Sequence, residues 1–208
     1  MQLYTYYRST SSYRVRIALA LKGLEYESLP VNLLAGEQRQ PAYLAVDPQG
    51  RVPALAVEAG QVLIQSAAIL EYLEERYPQV PLLASDLLLR ARARGIAALI
   101  GSDIHPLHNV SVLNRLRALG QDEAQVQDWI GAWISQGLGA VEILLGDHGY
   151  CIGPEPGLAD VYLIPQVYAA ERFKVSLDAW PRIARVAALA AGHPAFVHAH
   201  PASQPDTP

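Results

Sequence analysis

One change of pattern governs what this 208-residue chain can fold into. Up to Tyr77, short β-branched or aromatic runs alternate with helical ones; beyond Pro78-Gln79-Val80-Pro81 every strong signal is helical. Residues 2–6 and 26–31 have the composition of strands, and residues 15–22 are helix formers stopped by Gly23. A short helical piece is expected at 42–44. Residues 52–57 and 61–64 read as two strands joined by Glu58-Ala59-Gly60, and Ser66 opens a helix that Pro78 ends. This order predicts a compact α/β domain with parallel and antiparallel strand pairs over residues 1–80. An all-helical domain is expected over 87–208, with helices at 87–104, 110–119, 122–145, 158–170 and 181–191. A last turn at 194–200 should give way to a frayed Pro/Ser/Asp tail.

Composition narrows the function. A hydrophobic content of 51% with 17% charged residues describes a globular chain. The net charge of −4 and the lack of any basic block argue against a nucleic-acid partner. No apolar run reaches membrane-spanning length, and the start shows no basic-then-apolar leader pattern, so a cytoplasmic protein is expected. The single cysteine, Cys151, excludes an intramolecular disulfide framework and reads as a buried structural thiol.

The stretch that asks for chemistry is Tyr7-Arg8-Ser9-Thr10-Ser11-Ser12-Tyr13-Arg14-Val15-Arg16, at a strand-to-helix turn. A helix N-terminus leaves backbone N–H groups unpaired and carries partial positive charge, so the turn suits a hydroxyl that holds an anion. The simplest reading gives the N-cap to Ser11 or Ser12. That alone leaves a row of four hydroxyl residues behind an arginine unexplained. Arg14 and Arg16 are two apart and face different ways on a helix, so at most one joins Arg8 and the other belongs on the surface or in an ion pair. Pro53 interrupts a strand pattern, which marks the Val52–Pro53 junction as special.

These residues resemble a known family. The first domain looks like a thioredoxin-like fold, and the whole chain resembles a glutathione transferase of the zeta class. That class includes maleylacetoacetate and maleylpyruvate isomerases. The likeness rests on the Tyr7–Leu19 row, Val52-Pro53-Ala54-Leu55, Gln65-Ser66, Asp103-Ile104-His105-Pro106-Leu107-His108-Asn109, Ala170-Glu171-Arg172-Phe173-Lys174-Val175 and Gln204-Pro205-Asp206-Thr207-Pro208. It implies an N-terminal thioredoxin-like domain, a C-terminal helical domain, a homodimer and glutathione as cofactor. Ser9 is then similar to the hydroxyl that bonds the glutathione sulfur, with Thr10 and Ser11 close by. Val52 resembles the residue whose backbone pairs with the cysteinyl part, presented by a cis bond at Pro53. Gln65 and Ser66 look like the pair that binds the γ-glutamyl carboxylate, and Gln38 and Gln49 match less specific glutathione positions. Asp103, from the second subunit of a dimer, and His105 resemble cleft residues. Arg8, Asn109 and Arg172 look like substrate contacts, the arginines receiving carboxylates.

Three departures qualify the resemblance. Ser11 stands where many members carry cysteine. Gly157 replaces the Ser or Thr that caps the helix leading to Asp160, at a cost of only a few tenths of a kcal/mol. His105 stands where maleylacetoacetate isomerases often have glutamine, so maleylpyruvate stays open as substrate.

The implied chemistry is cis–trans isomerisation of a maleyl dicarboxylate by reversible thiolate addition, a nucleophilic route that replaces one inaccessible step with two easier ones. Two carboxylates call for arginines, which pair with them bidentately. Two rivals remain: a general transferase or peroxidase for electrophiles such as α-halo acids, and a non-catalytic partner-binding module. Disulfide exchange is set aside because Ser9-Thr10-Ser11-Ser12 stands where Cys-x-x-Cys would be needed. His105 and His108 lack companions for a metal shell, so no metal is expected. Trp129 and Trp133 share a helix face and read as core.

Overall fold

The computed structural model describes residues 1–208, the side chain of Ala59 excepted. Two compact units divide it: Met1–Leu82 with Gly192–Pro208, and Leu83–Ala191.

In the first unit, strands β1 (Gln2–Thr5), β2 (Glu27–Pro30), β3 (Ala54–Ala56) and β4 (Val62–Ile64) form one sheet in the order β2-β1-β3-β4. β1 runs parallel to β2, with Leu3 opposite Ser28, and antiparallel to β3, with Leu3 opposite Leu55. β3 and β4 close an antiparallel pair with Leu55 opposite Leu63. Alternation sends Leu3 and Thr5 of β1 inward.

Helix α1 (Thr10–Leu21) starts five residues before the expected Val15, so the hydroxyl row is its first turn rather than a preceding loop. Its N-cap is Ser9, not Ser11 or Ser12. Gly23 (φ +66°) follows the end of the helix, where its N–H and that of Leu24 satisfy the carbonyls of Ala20 and Leu19. The short helix α2 (Pro41–Leu44) and the longer α3 (Ser66–Arg76) complete the α/β order that the sequence suggests.

α1 is buried from Ser12 through Leu19, on every face. It packs against α3 and against α9 (Pro194–Ala199), which belongs to the first unit. Neither Arg14 nor Arg16 therefore reaches the surface; they are 2% and 0% exposed. The segment from Gly192 onward, grouped with the helical domain in the sequence reading, contacts α1 instead. Its tail is not frayed: Gln204 Nε2 donates to the His198 and His200 carbonyls at 3.0 Å each, and Thr207 Oγ1 donates to that of Pro201 at 2.6 Å.

The second unit is helical. Helix α4 (Leu87–Ala98), capped by Asp86, passes without a break into a π-helical stretch, Leu99–Ile104, and a 3₁₀ turn, His105–His108. α5 (Val110–Ala118) follows, and α6 (Glu123–Leu144) begins with a reciprocal capping box between Asp122 and Gln125. α7 (Leu158–Arg172) is almost wholly buried and contains Pro165, whose missing N–H leaves the carbonyl four residues back without its helical donor. α8 (Pro181–Gly192) ends the series. Gly157 does sit at the N-cap of α7, and Asp160 accepts from the N–H groups of Gly157 and Cys151 at 2.9 Å each.

Trp129 and Trp133 are not core. Half-buried and edge-to-face at 5.6 Å, they line an open cavity of about 550 Å³ with Gln121, Gln125 and Asp128. Among the described residues no helix is long and apolar enough to cross a membrane.

Candidate active site

The site in the first unit is built from two helix N-termini and the loop between them. Ser9 has extended backbone (φ −71°, ψ 118°), and its Oγ accepts the Ser12 N–H at 3.2 Å. The hydroxyl oxygen is thus occupied by the helix while its proton remains available to donate. Thr10 is buried and Ser11 half-buried in the same turn, and Arg8 precedes them half-buried. No acidic residue of the helix itself stands in this first turn.

The second N-terminus is that of α3. Gln65 adopts the left-handed region (φ 69°), an uncommon conformation for a residue other than glycine and one that clusters at functional sites. It makes no side-chain cap, so the first amides of α3 take no acceptor from it. Its Nε2 donates instead to Gln49 Oε1 at 2.5 Å. Ser66, the first helical residue, is buried, and its Oγ accepts from Arg14 Nη1 at 3.4 Å. A buried cation from α1 therefore stands beneath the start of α3.

The connecting loop brings in the remaining residues. Val52–Pro53 is cis, as the family resemblance implied, and both residues are buried. Val52 packs in a small core with Tyr6, Val31 and Tyr43. Tyr43 OH donates to the Arg51 carbonyl at 2.5 Å, and burial with the nearby Asp47 pushes its phenol well up. Gly50 (φ +62°) lies so close to Gln38 that a side chain there would set its Cβ 2.7 Å from the Gln38 carbonyl oxygen. Gln38 itself buries an Oε1 that has no hydrogen-bond partner among the described residues.

The second unit holds the other expected residues. The Arg172 guanidinium, at the last residue of α7, lies 4.6 Å over the Phe173 ring. Phe173 meets His108 edge-on at 5.5 Å, and His108 meets His105 at 5.4 Å, so Arg172 and His105 share one ring cluster. His108 is buried and its Nε2 lies 3.1 Å from Gln166 Oε1. Asn109 caps α5, its Oδ1 taking the Ser111 N–H and hydroxyl at 3.2 Å each. Asp103 stands exposed on the π-helical stretch.

Cys151 is no rival nucleophile. It is 1% exposed, and burial, followed by the Asp160 carboxylate, holds its thiol well above the ordinary range. Sequence reasoning missed Arg14, Arg16 and Asp206. The available signal for the arginines was that Val15, Ile17, Ala18 and Leu19 surround them and leave no polar face.

Comparison with known proteins agrees with this geometry. Residues 1–75 match the glutathione S-transferase N-terminal domain family. Maleylacetoacetate isomerase of Pseudomonas aeruginosa is 74% identical, with 100% of this chain and 99% of that protein aligned. The holo structure of maleyl pyruvate isomerase, a bacterial zeta-class glutathione S-transferase, is 48% identical with a TM-score of 0.96, and 100% of each chain is covered. Maleylacetoacetate isomerase of Anaeromyxobacter dehalogenans, solved with dicarboxyethyl glutathione and citrate in its active site, is 42% identical with a TM-score of 0.90, over 100% of this chain and 93% of that one. With a thioredoxin-like sheet domain, a helical region and full-length similarity, the chain belongs to the zeta-class glutathione S-transferases, the family of the maleylacetoacetate and maleylpyruvate isomerases.

Proposed function

We propose that this protein is a glutathione-dependent cis–trans isomerase of maleyl-acyl dicarboxylates, converting maleylacetoacetate to fumarylacetoacetate. The observation that carries the reading is the Ser9 hydroxyl: its oxygen caps α1 through Ser12, and its proton is left to donate at the positive end of the helix. A hydroxyl donor and a helix dipole each favour a bound thiolate by roughly 0.3–2 kcal/mol.

The residues present fit glutathione. The uncapped start of α3 at Gln65 and Ser66 suits a carboxylate, the buried Gln38 Oε1 is an acceptor awaiting a donor, and the cis bond to Pro53 presents the Val52 backbone for the cysteinyl part. When bound, glutathione supplies the thiolate whose reversible addition removes the double-bond character that blocks rotation. Ser9, with Thr10 and Ser11, holds the proton balance at that sulfur. Arg8 and Arg172 bind the substrate carboxylates and face the charge that develops during rotation. Asn109 lines the substrate side, and Gln49, Asp103 and His105 serve the tripeptide. The 74% identity to a maleylacetoacetate isomerase supports that substrate over maleylpyruvate.

The enzyme works in the cytoplasm as a homodimer in this reading. Leu87 and Leu88, 80% and 69% exposed, offer a second copy an apolar surface. The deciding experiment is a spectrophotometric assay of both maleyl substrates, with and without glutathione, on the parent and Ser9→Ala. Turnover should require glutathione and fall about a hundredfold in Ser9→Ala, within the range for loss of a positioned donor. Unchanged turnover in the variant, or turnover without glutathione, refutes the mechanism.

A further inference from the structure

Two groups from outside the β1–α1 turn grip the same residue of its backbone. Asp206 Oδ2 accepts the Tyr7 N–H at 2.8 Å, across 199 positions of sequence. Arg16 Nη2 donates to the Tyr7 carbonyl at 2.9 Å. Arg16 has no exposed surface and spends its other donors on the Thr5 hydroxyl at 3.0 Å, the Tyr6 carbonyl at 3.4 Å and the Ala199 carbonyl at 3.0 Å. The Tyr6 carbonyl also accepts the Ser9 N–H at 3.0 Å. Tyr7 is therefore fixed at both its N–H and its C=O, and Ser9 is one hydrogen bond away from that fixed point.

Stability explains this poorly. Asp206 buries its second oxygen, Oδ1, without a hydrogen bond among the described residues, and a carboxylate desolvated for a single amide bond gains little. What such a bond does supply is direction, because a hydrogen bond weakens steeply as it departs from linearity. A donor aimed at a reacting atom needs placement to within a fraction of an ångström.

We infer that the segment from His200 to Asp206 is a strap that positions the turn carrying Arg8 and Ser9, with Asp206 and Arg16 as its positioning residues. The inference rests on the proposed reading that Ser9 faces the glutathione sulfur.

The test compares Asp206→Ala with Asp206→Asn in the full chain, with Ser9→Ala in parallel. Asparagine keeps an oxygen for the Tyr7 N–H and discards the charge; alanine discards both. Asp206→Ala should lose about tenfold in kcat at saturating glutathione and substrate, as expected for a misplaced group, and should weaken the ultraviolet thiolate band of bound glutathione at neutral pH. Asp206→Asn should stay within about twofold of the parent on both readouts, by the same positional argument. Parent-like kcat and thiolate band in Asp206→Ala overturn the strap, as does equal impairment of the two variants, which would point to charge rather than position. A thiolate band that Ser9→Ala leaves unmoved refutes the underlying reading of Ser9; a band lost in Ser9→Ala but kept in Asp206→Ala refutes the strap alone. If the alanine variant does not fold, Asp206→Glu, which keeps the charge but shifts the acceptor by one carbon, must lose kcat, and full kcat there overturns the inference.

Discussion

Lys22 and Glu74 form a buried ion pair at 2.8 Å, with side chains only 1% and 10% exposed. Lys22 Nζ also donates to the carbonyls of Tyr77 and Val80, and Glu74 accepts the Leu82 N–H at 2.9 Å. The pair thus ties the end of α1 to α3 and to the proline-containing segment that follows it. Removing one partner leaves the other charged and buried. Lys22→Met should cost about 3–5 kcal/mol in urea unfolding, whereas the double change with Glu74→Leu should recover much of it. A loss below about 1 kcal/mol, the size of a surface pair, would show that water already screens this one.

Arg14 lies under Ser66, where the proposed carboxylate of the tripeptide would sit. Arg14→Met should raise the KM for glutathione about tenfold, the weight of one charge-assisted hydrogen bond, and leave kcat at saturation little changed. A glutathione analogue lacking the γ-glutamyl carboxylate should bind parent and variant alike. Equal weakening of both ligands would make Arg14 a packing residue only.

Gly137 on α6 meets Ile104: a Cβ there would fall 2.3 Å from Ile104 Cγ1. Ile104 is fully buried, so it cannot swing away without moving its neighbours. Gly137→Ala should destabilise by about 1–3 kcal/mol despite the better helix propensity of alanine. Pairing it with Ile104→Val, which shortens the clashing side chain, should restore part of the loss in the same urea titration.

The Cys151 thiol is held well above its ordinary range by burial and by Asp160. Above the ordinary thiol range, near pH 8.5, the unfolded chain gives up that proton while the folded chain keeps it. The folded state then binds more protons, so stability falls as pH rises, by up to about 1.4 kcal/mol per pH unit from this group. Cys151→Ala lacks the slope. Plotting the stability of the parent minus that of the variant against pH should give a flat line below pH 8 and a decline above it; a flat line throughout would mean the thiol ionises equally in both states.

The fold was legible where neighbours in sequence decide it. The alternation of strands and helices, the stop at Gly23 and the oddity of Pro53 all follow from local chemistry, and the family resemblance supplied the cis bond itself and the cap at Gly157. The cap of α3 falls on Gln65 and not on the expected Ser66, which is the first helical residue. What failed was what depends on distant partners. Arg14 finds its acceptor 52 residues away and Arg16 finds one 183 residues away, so the apolar residues around them could hint at burial but no local pattern could name their partners. The start of α1 was misjudged because Ser and Thr serve caps and turns as readily as a first helical turn. The π-helical stretch after Ala98 looks like ordinary helix in composition, and Trp129 and Trp133 have the spacing of a core pair yet border an open cavity.

Because α1 is enclosed on all sides, it has no permissive face on which substitutions could accumulate quietly. A saturation survey of the gene should therefore find this helix intolerant at nearly every site from Ser12 to Leu19, charged positions included. In α5, whose one buried residue is Leu113, intolerance should instead recur about once per turn. Diversification of this enzyme for new substrates has to come from elsewhere in the molecule.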